Sequence, residues 1–284
     1  MAFRAPASSA NLGPGFDALA IAVGLYVEVE AVPAGALALT ATGEGAELAS
    51  DPSDHLAVRV IREVAGHDRF AVRVDSQIPV GRGLGSSAAL AVAAAAAAGS
   101  DDPLGVAARV DGHPENAAAS VLGGLVAACM VDGRPVARKL SLDPGLSFVV
   151  VVPDRLLPTA EARAALPRTV PLADAAANLG RMGLMIAGMA DRSQLIAEAA
   201  SDRLHQGSRT PLFPESVELL SALVEAGALA SAWSGAGPSM IGMCDAGRSA
   251  AVAAALSRTM GELGLAGRVL VLEADTCGLT QLQR

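Results

Sequence analysis

Apolar and polar residues alternate along "LYVEVEAV" (Leu25 to Val32), "ALALTATG" (Ala36 to Gly43) and "RFAVRVDS" (Arg69 to Ser76). A period of two turns one face of each segment toward a core and the other toward water, which predicts three half-buried strands. Between the second and third, "HLAVRVIREVAG" repeats its apolar residues at helical spacing and stops at Gly66, as an amphipathic helix with a glycine end does. The stretch "VGRGLGSSAALAVAAAAAAG" (Val80 to Gly99) predicts a glycine turn opening into an alanine helix; a second small-residue helix is expected from Pro114 to about Leu122, and "GGLVAACMV" as a strand. This mixture lacks the regular strand-helix alternation of a doubly wound sheet.

From Ser147, "SFVVVVPD" reads as a buried strand, followed by the proline-punctuated "RLLPTAEARAALPRTVP" and a long helical region from Ala173 to about Arg203. A helix in "TPLFPESVELLSALVEAGA", a strand-turn-strand in "SAWSGAGPSMIGMCD", a helix from Ala250 to Leu263 and the strand "RVLVLEAD" complete the chain. The order predicts an α+β protein of two units. Turn chemistry in "SLDPGL" places their boundary so that residues 1–142 form the first and 143–284 the second.

Composition sharpens this. Hydrophobic residues make up 52% of the 284 positions and aromatics 2%, so the core must be filled by Ala, Val, Leu and Ile. A formal net charge of -8 leaves no basic stripe for nucleic acid, and no nucleic-acid partner is expected. Lys139 is the lone lysine among 21 cationic residues, so any anion clamp has to use arginines, main-chain N–H groups, helix ends or a metal. Cys129, Cys244 and Cys277 show no CxxC spacing, which suits a reducing compartment without disulfides. The start "MAFRAPASSAN" lacks a signal-peptide pattern, and the apolar run Ala88 to Ala98 falls short of the roughly 20 residues a membrane span needs. A cytoplasmic protein without a membrane partner is the expectation.

In "IPVGRGLGSSAA" the glycines at 81, 83 and 85 lack Cβ atoms, so successive main-chain N–H groups can converge on an anion. Ser86 and Ser87 open a helix whose first amides are unpaired and whose dipole amounts to roughly half a positive charge. Phosphate suits such a site. A P-loop would require a lysine that is missing, and a dinucleotide fingerprint would require GxGxxG with an acid about 20 residues on. Taken alone, the turn also suits a plain packed helix. Similar dual readings attach to "APASSANLGPGFDALA", where Ser8, Ser9, Asn11 and Asp17 could hold a small polar ligand or Asp17 could cap a helix. In "DGHPENAAA", Pro114 fits a first helical position with Asp111 or His113 capping; His113 has no partner at metal-ligand spacing. "WSGAGPSM" is a second glycine turn, beside Trp233, which reads as packing. Arg163 and Arg209 lie in Pro-flanked segments where a guanidinium could grip a carboxylate.

Together these stretches resemble the GHMP small-molecule kinases. "PVGRGLGSSA" is similar to that family's glycine motif, "PASSANLGPGFDALA" to its first motif and "SGAGPSM" to its third, while "GHPENAA", "TAEARAALP" and "DRLHQGSRTPLFP" resemble the members that act on homoserine rather than mevalonate or galactose. The likeness runs in register from about residue 4 to "LEADTCG". It implies the GHMP kinase fold: an N-terminal domain like domain 2 of ribosomal protein S5, a ferredoxin-like C-terminal domain, and a site between them that moves the ATP γ-phosphoryl to the L-homoserine hydroxyl for threonine synthesis. By matching position, Pro79, Val80, Gly81, Arg82, Gly83, Leu84, Gly85, Ser86, Ser87, Ala88 and Ala89 would wrap the ATP phosphates. Ser87 and Asp111 would hold Mg2+; Asn11, Asp17, Asn116, Arg163 and Arg209 would bind homoserine, with Asn116 and Arg163 also orienting the reacting hydroxyl. The resemblance leaves room for a homodimer and assigns no general base.

Departures are visible too. Asp111 stands where the family has Glu, Glu115 where it has Asp, His55 where an Asn commonly meets the adenine end, and "HQGSR" loses an aromatic while keeping Arg209. A catalytically inactive metabolite binder, a mevalonate-type kinase and a dinucleotide oxidoreductase stay open at this point.

Overall fold

The computed structural model describes residues 1–48 and 51–283. Strands β1 (Ala2–Asn11) and β2 (Gly15–Pro33) make an antiparallel hairpin; β3 (Ala38–Gly43), α1 (Leu56–Ala65) and β4 (Phe70–Ser76) follow, with β3 parallel to β4 and β4 antiparallel to β2. Then come α2 (Ser86–Ala97), α3 (Pro103–Asp111), α4 (Glu115–Leu122) and the hairpin of β5 (Leu125–Val131) and β6 (Arg134–Lys139), which joins the same sheet through β2. The second half runs β7 (Leu146–Pro153), α5 (Thr159–Ala164), α6 (Leu172–Ala190), α7 (Gln206–Arg209), α8 (Ser216–Glu225), β8 (Ala230–Trp233), β9 (Met240–Asp245), α9 (Ser249–Glu262) and β10 (Gly267–Leu272). Its antiparallel sheet has the order β10-β7-β9-β8, that is fourth, first, third, second, as expected of a ferredoxin-like unit.

The alternating segments become strands as expected, and Gly66 ends α1 in the left-handed conformation at φ 75°. "APASSANLGPGFDALA", in contrast, is not a loop but the close of the β1–β2 hairpin. Its period-two signal is missing because both faces of β1 are covered: Ala5, Ala7, Ser8, Ser9 and Ala10 are all buried. The serines are tolerated there because each hydroxyl has a partner, Ser8 with Asn116 (2.9 Å) and Ser9 with Ser234 (2.8 Å). The helical region expected to run to about Arg203 stops at Ala190, since Asp191 turns extended and its carboxylate takes the Ser193 N–H (3.1 Å). Helix α3 is an addition; Asp102 caps it by accepting from Gly105 N (2.9 Å), with Pro103 at its first position and Gly112 at its end.

The alanine helix α2 runs through the middle of the molecule with Ala88, Ala89 and the stretch Ala91–Ala97 buried. Alanine allows helix and sheet to approach closely, and one apolar cluster joins Ala5, Val27 and Val92 to Phe148, Val150 and Met185 of the second half. A second cluster covers the other face of the second sheet, where Trp233 meets Phe213 edge-on at 6.4 Å. The last strand, β11 (Thr280–Gln281), returns to pair with β1, so the tail numbered with the second unit completes the first sheet.

The two halves approach main chain to main chain where Gly83, at φ 76°, lies against the Ser234 carbonyl; any Cβ there would collide with that oxygen. Gly83→Ala should therefore cost more than about 2 kcal/mol, from left-handed strain plus overlap with main chain. Urea denaturation of the variant beside the wild type measures it.

Candidate active site

The predicted glycine turn forms one wall of a cleft of about 330 Å³ between the halves, lined from Pro79 to Ser87 and faced by Asn11, Asp17, Asp111, Asn116, Arg163 and Arg209. Gly81, Gly83 and Gly85 all have left-handed φ, and at Gly85 a Cβ would strike the Ser8 hydroxyl. Gly85 caps α2 without a side chain, and the first helical bond comes from Ala89 to Gly85 O (2.9 Å). The amides of Ser86, Ser87 and Ala88 thus have no helical partner, and with the helix dipole they favour an anion. Two residues of the expected wrap lie below it, since Ala88 and Ala89 are buried in the core and do not line the cleft. Arg82 also behaves differently. Its guanidinium donates to Pro153 O (2.8 Å) and Asp154 O (3.1 Å), which ties the turn to the end of β7.

At the open end of the cradle the Ser87 hydroxyl donates to Asp111 Oδ1 at 2.7 Å. Burial pushes the Asp111 carboxyl above its ordinary range, and the bond from Ser87 pulls it partly back. Two ligands on adjacent corners of an octahedron with bonds of roughly 2.1 Å lie about 3.0 Å apart, so this pair of hard oxygens has the span one small divalent ion requires. The shorter Asp in place of Glu still reaches Ser87.

Beyond it, His113 Nδ1 lies 2.6 Å from Glu115 Oε1. Burial alone would lower the imidazole, but the contact and charge of Glu115 outweigh it and raise it. Neither Asp111 nor His113 caps α4: Asp111 ends α3, and Pro114 takes the cap position. Glu115 Oε2 is buried and has no hydrogen-bond partner among the described residues. Asn116 accepts from Ser8 and donates to Glu115 Oε1 (3.3 Å), leaving one N–H and one lone pair for a ligand. Asp17, His113 and Glu115 bring ligand atoms within 4.8 Å of one another, although Arg163 already places its charge on Asp17 through two bonds of 3.1 and 2.8 Å.

Asp17 sits early in β2 with φ 53°, beside Asn11 at 73° and Leu12 at 47°, three non-glycine residues in the left-handed region. The Asn11 amide holds them: Oδ1 accepts from Asp17 N (3.0 Å) and Nδ2 donates to Gly235 O (2.9 Å). These two bonds hold main chain and still leave the amide one N–H and one lone pair in the cleft it lines. The Phe16 ring packs between Arg163 (5.8 Å) and Arg209 (5.7 Å), stacking also on His205 (5.0 Å). Arg209 is buried; its Nη1 donates to Gly235 O (3.0 Å) and to His205 Nδ1 (2.9 Å). His205 was no candidate in the sequence, yet "HQGSR" puts it four residues before Arg209, on one helical face.

A cradle of main-chain amides, a hard-oxygen pair beside it and arginines across the gap define a small-molecule phosphotransferase. The family models "GHMP kinases N terminal domain" and "GHMP kinases C terminal" match residues 55–124 and 174–262, and the chain belongs to the GHMP kinase family. It is 43% identical over 278 residues to homoserine kinase of Thermus thermophilus, covering 94% of each chain, and 37% identical over 276 residues to homoserine kinase of Moorella thermoacetica, covering 92% of this chain and 93% of that one. The crystal structure of homoserine kinase from Cytophaga hutchinsonii superposes with a TM-score of 0.85 at 25% identity, covering 99% of this chain and 97% of that one. The L. major mevalonate kinase shares the fold, with a TM-score of 0.70 at 14% identity over 96% of each chain. Among the described residues no helix is long and apolar enough to cross a membrane.

Burial and the neighbouring Arg209 hold the His205 imidazole down to about 4, against 6.5 for a free ring. Between these values the unfolded chain binds the extra proton and the folded one refuses it, so this residue makes stability fall as pH drops from about 6.5 toward 4, by at most about 1.4 kcal/mol per pH unit. Asp111 and His113, both shifted upward, act in the opposite direction. Denaturation curves across this range for wild type and His205→Gln isolate the term, and the variant should show the shallower loss on acidification.

Proposed function

We propose that this chain transfers the γ-phosphoryl group of ATP to the side-chain hydroxyl of L-homoserine, forming O-phospho-L-homoserine. The observation that carries the reading is the pairing, across one cleft, of an amide-lined anion cradle with an acid and two guanidiniums: Asp17, bridged to Arg163, and the buried Arg209 lining the same cleft. An α-amino acid presents an ammonium and a carboxylate on one carbon, and that zwitterion needs both charges within a few ångströms of each other. Mevalonate, with no ammonium, would offer no cation to the part of the Asp17 carboxylate that Arg163 leaves open to the cleft.

In this reading the cradle from Pro79 to Ser87 holds the phosphates, and the adjoining apolar cavity of about 160 Å³, walled by Ala41, Leu48, Leu56, Val74 and Leu90 and sharing Val80, Ser86 and Ser87 with the cleft, takes the adenine end. His55 lines that cavity, its Nδ1 accepting from Ala57 N (3.2 Å) as the cap of α1. Ser87 and Asp111 would hold Mg2+, which when bound neutralises charge on the triphosphate. Asp17 meets the ammonium and Arg209 the carboxylate; Asn116 and Arg163 orient the hydroxyl. Phosphoryl transfer through a loose transition state asks mainly for alignment and charge neutralisation, so the hydroxyl proton leaves late and no dedicated base is assigned. A cytoplasmic setting belongs to this reading, supported by three cysteines that remain free thiols.

Coupled ADP release with homoserine, serine and mevalonate tests the proposal, and turnover should favour homoserine; equal or better use of mevalonate overturns it. Asp17→Asn should raise KM for homoserine about tenfold or more with KM for ATP unchanged, since charge-assisted contacts are worth about 1.5–3 kcal/mol. Asp111→Asn should depress kcat and raise the Mg2+ concentration for half-maximal rate.

A further inference from the structure

We propose that His205 is a positioning residue of this kinase: the lone pair on its Nδ1 fixes the Arg209 guanidinium toward the substrate carboxylate without cancelling its charge. The proposal rests on the reading of Arg209 given above.

Hydrogen-bond chemistry sets the tautomer. His205 Nε2 lies 2.8 Å from the Gly13 carbonyl, which can only accept, so Nε2 carries the proton. Arg209 Nη1, 2.9 Å from Nδ1, can only donate, so Nδ1 carries the lone pair. Both ends of the ring agree on one neutral form. The ring is fully buried and is further held by the Phe16 stack and by Asp202, whose nearest oxygen is 3.8 Å from Nε2. Asp202 itself is spent on the local backbone, accepting from His205 N and Gln206 N at 2.7 Å each and from Asn178 at 2.7 Å. It fixes the start of α7 and therefore the four-residue step from His205 to Arg209.

The partners of the two cleft arginines differ in kind. Arg163 faces a carboxylate, Asp17, that offsets its charge. Arg209 has three neutral acceptors: the His205 ring, Gly235 O and, at 3.4 Å, Ala162 O on its Nε. Nη1 is fully used by two of these, and among the described residues none accepts from Nη2. Burial and the nearby Arg163 lower Arg209 to about 10, which still leaves it cationic at neutral pH. An acidic residue at 205 would orient the guanidinium equally well but neutralise it at contact; an imidazole with its lone pair inward orients it without adding a negative charge to those of Asp17 and Asp202 nearby. Buried charge is costly without such compensation, so a ligand carboxylate gains more here than at a surface arginine.

Two substitutions divide the ring's functions. His205→Asn keeps an acceptor near the Nδ1 position and gives up the bond to Gly13; His205→Gln keeps a donor near Nε2 and gives up the acceptor for Arg209. Steady-state kinetics should show KM for homoserine raised at least about tenfold in His205→Gln, with kcat and KM for ATP within about twofold of wild type, and a change of less than about threefold in His205→Asn. The reverse order, or equal damage in both folded variants, overturns the proposal, because the Gly13 tie and ring packing would then be what matters. Arg209→Ala is measured in parallel: if it leaves KM for homoserine unchanged, the reading of the site fails and not the His205–Arg209 pairing. Should the variants not fold, imidazole 15N shifts of the wild type decide, with a protonated Nε2 and an unprotonated Nδ1 at neutral pH expected for His205, and the opposite tautomer overturning the proposal.

Discussion

Two glycine-rich turns, one from each half of the chain, pack main chain against main chain at Gly83 and Ser234. The Ser234 hydroxyl donates to Gly83 O (2.7 Å), which leaves it to accept from the Ser9 hydroxyl (2.8 Å), and Gly235 N reaches Ala10 O (3.0 Å). Arg82 adds a third tie, to the end of β7. Through these bonds the anion cradle is not an appendage of the first sheet but a part of the seam, with Arg163, Arg209 and the 234–239 turn on its other side. Apart from the Arg82 tie these contacts join peptide groups and short hydroxyls, so they leave little rotamer freedom to blur the distance from cradle to arginines.

The near absence of lysine makes the division of labour among arginines legible. Arg82 is used up on carbonyls and braces the turn. Arg163 is bridged to Asp17 at the mouth of the site, partly open to water on both sides of the pair. Arg209 is buried and keeps its charge. The same side chain thus serves as brace, as half of an ion pair and as an anion receptor; a charged acceptor sets Arg163 apart, and burial separates Arg209 from Arg82.

Much of this was written in the local pattern. The amphipathic strands β2 to β4 and helix α1 announce themselves by period, and Gly81, Gly83, Gly85, Ser87, Asp111, Asn116, Arg163 and Arg209 were all named from motifs and resemblance. What escaped was either doubly buried or contextual. Strand β1 has no polar face, so no period betrays it. Arg82 sits inside a phosphate-like motif but is drawn to carbonyls of the other half, which no local spacing reveals. His113 and Glu115 meet across a turn; His205 and Arg209 are four apart, and only the second pairing left a trace, a helical spacing whose meaning depends on Gly13 lying above the ring. Asn11 illustrates the limit most plainly, since its amide also ties down a hairpin end with left-handed residues that the "NLGPG" stretch does not foretell.

The short strand Thr280–Gln281, seated beside Phe3 and Arg4, has a temporal consequence. Synthesis runs from β1 toward β11, yet one edge of β1 stays bare until residues 280–281 are in place. Tyr26 likewise waits for Asp275, its partner at 3.0 Å, and the main chain at Gly124 for the carbonyl of the same aspartate (2.6 Å). The opening layer therefore closes late, and a polypeptide cut before Asp275 would keep every residue of the cleft while leaving that border unsewn.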